Sequence, residues 1–174
     1  MKKALPIFLF LLMIVAGCNS NTVDTPLYEG KNINIGIIGN APKVREDNVK
    51  FTTINFAELE EGKKLASKFD AVFIMKEHLS EASHSKYAKV YKEAGIPFFF
   101  IESKKSYIPF IDEKISYEDF PEVESGEHAT GYFQSGEDIQ SWGYGLYNDK
   151  VNEPNIKDAY TRIFTTIASI KNAK

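Results

Sequence analysis

Ala71-Val72-Phe73-Ile74-Met75 is apolar at every position. It lacks the alternation that a half-exposed strand would show. Such a run needs cover on both faces, which describes an interior strand of a parallel sheet. Two other runs repeat the pattern. Ile33-Asn34-Ile35-Gly36-Ile37-Ile38-Gly39 is apolar through its second half and stops at Gly39-Asn40 and Pro42. Pro97 to Ile101 carries Phe98-Phe99-Phe100. Between the second and third of these runs in chain order lies a helical pattern from Glu81 to Ala94. Its Tyr87, Val90, Tyr91 and Ala94 recur at i, i+3, i+4 and i+7, and Gly95 and Pro97 close it. Short apolar strands alternating with helical segments predict an α/β domain. The expected form is three-layered and flavodoxin- or Rossmann-like, with a mainly parallel sheet of about 4–6 strands and flanking helices.

Outward from this frame the pattern weakens. Lys50 to Phe56 is richer in Thr and reads as a strand near an edge. Ala57 to Phe69 reads as a helix with Leu59, Leu65, Ala66 and Phe69 on one face, interrupted by Gly62. Residues 104–127 hold Pro109, Pro121, Gly126 and seven acids, and read as a long excursion with one short helix. Ala129–Gln134 and Ser141–Tyr147 fit either short strands or ordered loop. A final helix begins at Asn155 as cap, with Asp158 completing a capping-box-like pair. Ile156, Ala159, Tyr160, Ile163, Phe164, Ile167 and Ile170 form its apolar stripe.

The N-terminus has a different logic. Lys2 and Lys3 precede an apolar run from Ala4 to Ala16, which is shorter than the ~20 residues a membrane-spanning helix needs. A basic start, a short apolar core and small residues before a cut site make an export signal. Val15-Ala16-Gly17-Cys18 resembles the lipobox of bacterial lipoproteins. The resemblance implies that Cys18 carries a diacylglyceryl group and becomes the mature N-terminus. Residues 1–17 are then the signal, 18–32 a polar membrane tether and 33–174 a single domain. The membrane is the first partner, through lipid on Cys18, and the location is the extracytoplasmic face of the cell membrane. Two or more acyl chains give stable anchoring.

Composition narrows the function classes. Removing residues 1–17 leaves 157 residues, and the formal charge falls from −3 to −5 because Lys2 and Lys3 leave with the signal. An acidic domain without a basic run is no candidate for nucleic acid. Cys18 is the one cysteine in the chain, so a lipidated Cys18 leaves no thiol for disulfides, catalysis or metal.

Several motifs invite chemistry. Gly36-x-x-Gly39 follows a strand, but it lacks the third glycine of a dinucleotide loop and the Gly-Lys-Ser/Thr of a P-loop. His78 and His84, with Glu77 and Glu81, do not share a helical face, and the acids from Asp112 to Glu127 lack the oxygen-ligand alternation of a calcium loop. His128 beside Glu127 carries no motif. No metal or other cofactor is expected. In open parallel sheets ligands sit beyond the carboxyl ends of the strands, which here are Asn40, Lys76-Glu77-His78 and Glu102-Ser103. Asn40, Glu77, His78 and Glu102 are therefore the candidate ligand-binding residues. Trp142 and Tyr144, set among glycines, are added as a candidate recognition surface. Their alternative role is to cover the open edge of the sheet.

The joint Lys92-Glu93-Ala94-Gly95-Ile96-Pro97 before a strand resembles one found in a lobe of extracytoplasmic solute-binding lipoproteins and in flavodoxin-like domains. The chain shows no nucleophile elbow or catalytic triad pattern, which fits a non-catalytic binding or protein-interaction module, with a protein or small molecule as partner. The competing expectation is a small-molecule enzyme with its site at the carboxyl ends of the parallel strands.

Overall fold

The three apolar runs lie side by side. The computed structural model describes residues 23, 25–123 and 127–173. The signal segment, the lipobox and Cys18 lie outside the described residues. The strands are β1 (Ile33–Ile38), β2 (Val49–Thr53), β3 (Ala71–Ile74), β4 (Phe98–Ile101), β5 (Glu127–Ser135) and β6 (Asp138–Gly145). They form one sheet in the order β2-β1-β3-β4-β5-β6. The first four are parallel, and β5 and β6 are each antiparallel to the strand before. The protein is thus α/β with a mostly parallel six-stranded sheet. β2 is an edge strand, as its Thr content predicts.

Pleating divides the core into two clusters. Val72, Ile74, Phe98 and Phe100 point to one face, where they meet Leu59, Leu65, Tyr87, Tyr91 and Phe110. Ala71, Phe73, Phe99 and Ile101 point to the other, against Tyr160, Ile163, Phe164 and Ile167. Rings do much of the packing: Phe100 stacks on Phe110, and Phe73 lies nearly parallel to Phe164. Each fully buried side chain of this size contributes ~1.5–3 kcal/mol.

The helices are shorter than their sequence periodicity suggests. In place of one helix over 57–69, α1 spans Phe56–Leu59 and a 3-10 segment spans Gly62–Ser67. Gly62 takes a positive φ of 59° between them. The expected helix from Glu81 to Ala94 is two pieces, α2 (Leu79–Ala82) and α3 (Ser85–Glu93), because His84 is extended. The Ser83 hydroxyl at that break donates to Ser80 O and accepts from the Tyr117 amide, so a tertiary contact holds the interruption. Gly95, at φ 73°, ends α3 in the left-handed turn its position predicts. The excursion contains one short helix, α4 (Ile108–Ile111).

The final helix, α5 (Glu153–Asn172), is capped by Asn152 and not by Asn155: the Asn152 side chain accepts from the Asn155 amide. Asn155 is buried, and its side-chain amide donates to Tyr147 O and Lys150 O. α5 runs antiparallel to the parallel strands. Lys171, at its end, pairs with Asp70 just before β3 at 2.8 Å, whereas its beginning lies beside residues that follow β3 and β4.

Part of the polar segment before β1 lies along this helix. The Val23 amide donates to Asn155 Oδ1 at 3.1 Å, and the Thr25 hydroxyl donates to Asp158. Arg45 reaches both Thr25 and Thr161. Further on, Asn48 donates to Gly30 O and Lys171 to Asn32 O. Among the described residues, no helix is long and apolar enough to cross a membrane.

Candidate functional site

Two adjoining cavities, of about 560 and 440 Å³, open beyond the carboxyl ends of β3 and β4. They share Glu102, His128, Val151 and Ile156 and form one cleft. Met75 and Tyr160 wall one side, and Lys76, Lys104 and Asp149 border the other. Four stretches of chain build it: the ends of β3 and β4, the beginning of β5, the turn after β6, and the first turns of α5.

Backbone strain concentrates there. Among the described residues three non-glycines have positive φ: Glu102 at 55°, Asn148 at 50° and Asp149 at 52°. Glu102 and Asp149 line the cleft and Asn148 adjoins it. A left-handed non-glycine costs of order 1–3 kcal/mol and persists only where its surroundings enforce it. At Glu102 the enforcing contact is a hydrogen bond from its amide to His128 O.

His128 is itself displaced from regular pairing. Glu127 pairs with Gly145 and Ala129 with Tyr144, so His128 is the extra residue of a β-bulge. Bulges re-aim side chains and recur beside functional sites. The His128 ring meets Tyr160 edge-on at 6.1 Å, and its Nε2 is buried with no hydrogen-bond partner. Burial holds the imidazole below its ordinary pKa and Arg162 adds to this, while the Glu102 charge opposes both. Tyr160 comes from α5, with its ring against Phe73 and Phe164. Burial foremost, then the Glu102 charge, raises its hydroxyl pKa, so the group is a proton donor across the physiological range. Glu102 also pairs with Lys76 at 3.7 Å, with both side chains largely exposed. Such a pair contributes little to stability. The cleft floor thus presents a carboxylate, a neutral imidazole and a neutral phenol.

The candidate residues are distributed unevenly around this cleft. Glu102 lies in it. Asn40 is exposed and outside the lining. Glu77 folds toward Gly39, where an added Cβ would stand 2.9 Å from Glu77 Oε1. His78 packs edge-on against Phe56, on the α1 side. Trp142 and Tyr144 lie on β6, facing α5. Trp142 is half-buried and stacks on Phe99. Tyr144 is buried, donates its hydroxyl to Thr166, and has its pKa pushed up to about 12, chiefly by burial. The last two therefore cover the sheet. His128, Tyr160 and Asp149 carry no motif, and the structure alone brings them to Glu102.

No group of three or more His, Cys, Asp or Glu able to hold a metal occurs among the described residues. Comparison of the chain with protein-family models, with curated proteins and with solved structures finds no match.

Proposed function

We propose that this chain is a lipid-anchored extracytoplasmic binding module whose ligand occupies the cleft at Glu102, His128 and Tyr160. The observation that carries the reading is the convergence of strained backbone and one unpartnered buried nitrogen on a single cavity. Glu102 and Asp149 line the cleft in costly conformations, and a buried His128 nitrogen there has no partner. A fold tolerates both when a ligand completes the site. The finer architecture we propose is a three-layer, flavodoxin-like sandwich. The strand order 2-1-3-4 and the division of the core between two sheet faces support it. The lipid anchor rests on Val15-Ala16-Gly17-Cys18.

One observation favours a second reading, an enzyme acting on a small molecule. A neutral imidazole beside a carboxylate in a cleft is the composition of a general-base site.

Native mass spectrometry of the full-length protein, extracted from membranes in mild detergent, tests the binding reading. A co-purifying small molecule present in the wild type and lost in Glu102→Gln and His128→Ala is the expected result. Its absence in the wild type, or its retention in both variants, overturns the assignment. Conversion of the bound compound on incubation selects the enzyme. The anchor is tested separately, by palmitate-analogue labelling that Cys18→Ala should abolish.

A further inference from the structure

The strands set two poles. Chain direction alone would put the anchor at the pole where β1 begins, because a polar leader would leave from Ile33. The docked segment does the reverse. From Asn32, beside Lys171, the chain traced backwards climbs along α5 to Thr25 at Asp158 and Val23 at Asn155. It therefore leaves the domain at the first turns of α5, which also wall the cleft. Val23 is five residue steps from Cys18, a reach of at most ~18 Å even when fully extended. We infer that the docked segment inverts the domain on its anchor, so that the cleft faces the bilayer and receives the headgroup of a membrane-resident glycolipid.

This rests on the lipidation of Cys18. Side chains at the same pole fit a lipid surface. Val151 is 80 % exposed and Tyr147 42 % exposed, two of the five large apolar side chains that stand out among the described residues. Tyr is favoured where hydrocarbon meets water. Lys43, Lys150 and Lys157 surround them, and long basic side chains can lay their stems along apolar surface while the charge stays wet. The floor supplies the headgroup chemistry. Two uncharged hydrogen-bonding groups, His128 and Tyr160, beside the Glu102 carboxylate suit a hydroxyl-rich group. The lysines around the cleft (Lys43, Lys76, Lys104 and Lys157) are matched by Glu102, Glu122, Glu127, Asp149 and Glu153, so no net positive charge favours a bare phosphate.

The test uses the full-length lipidated protein in phosphatidylglycerol vesicles that carry an acceptor dye on the headgroup. A donor dye is placed on Lys150→Cys or on Asn172→Cys, at opposite ends of α5. The ends of this helix are about 30 Å apart, so transfer from position 150 should exceed that from position 172 by roughly twofold or more. Equal or reversed transfer overturns the orientation. Combining Val23→Pro with Thr25→Ala, which removes both docking donors, should shrink the contrast while leaving the melting temperature nearly unchanged. An unshrunk contrast would mean that the docked segment is not what orients the domain. A wild type that fails to float with vesicles removes the anchor reading, and this inference with it. A photo-crosslinker at Val151 reads the headgroup: in vesicles doped with a diglycosyl-diacylglycerol it should form glycolipid adducts that Tyr160→Phe reduces several-fold. Adducts to phosphatidylglycerol alone, or no change in Tyr160→Phe, would overturn the glycolipid assignment.

Discussion

Phe99 and Trp142 stack at 6.3 Å between ring centroids across the strand that separates them, where their common partner Gly131 has no side chain. A Cβ on Gly131 would stand 2.8 Å from Phe99 Cε1 and 3.1 Å from Trp142 Cε3. Gly131→Ala should therefore destabilise the protein by ~1–3 kcal/mol through overpacking. It should also shift Trp142 emission, which a urea titration followed by fluorescence reads directly. Unchanged stability and emission would mean that the two rings are not held against Gly131.

Glu102→Gly separates stability from function. The substitution relieves a left-handed backbone, at φ 55°, and should raise stability by ~1 kcal/mol. It should at the same time abolish ligand retention by removing the carboxylate. A variant that melts lower than the wild type would show that Glu102 is there for the fold.

His128 predicts a pH dependence. Its folded pKa lies below the ordinary value of 6.5, so between the two values the unfolded chain binds more protons than the native one. Stability then falls as pH drops below about 6.5 and is unaffected by this residue above it. Thermal melts from pH 7.5 to 5 should show the decline, and His128→Gln should flatten it. A variant as steep as the wild type would locate the effect elsewhere.

Asn152 and Asn155 should differ in kind. Asn152→Ala removes a helix cap and costs ~1 kcal/mol. Asn155→Ala removes a buried side chain whose amide donates to two carbonyls, Tyr147 O and Lys150 O, and should cost ~1–3 kcal/mol in all. Denaturant titrations in which Asn152→Ala proves the costlier would reverse the assignment of the cap.

The parallel core is legible in the chain because its strands are apolar at nearly every position, and no other element asks for that. The β5–β6 hairpin is harder to read. Gly131, Gly136, Gly143 and Gly145 look like loop residues, yet Gly131 and Gly143 make room for Phe99, Trp142 and the Glu127 side chain. Helix limits mislead where tertiary contacts such as that of Ser83 override periodicity, and where Asn152 and Asn155 compete for the cap. Half of the candidate site follows from one rule: Glu102 ends a parallel strand. The other half depends on an antiparallel neighbour and a bulge. His128 reaches Glu102 only because β5 runs back beside β4, and Tyr160 is a stripe residue whose far end happens to meet the cleft.

The last helix has a bearing on when the protein can mature. Ile35 and Phe73 are made well before Ile163, Phe164 and Ile167, which cover them. Until then one side of the parallel sheet has no apolar partner. That side of the sheet must therefore stay uncovered until α5 has been made, and contacts this distant in sequence close slowly. Were the chain exported unfolded, as proposed above, that delay would be an advantage, since a core that cannot close early cannot jam the passage. It also makes α5 a quality check: a chain without it displays a bare apolar sheet face and is prone to aggregation.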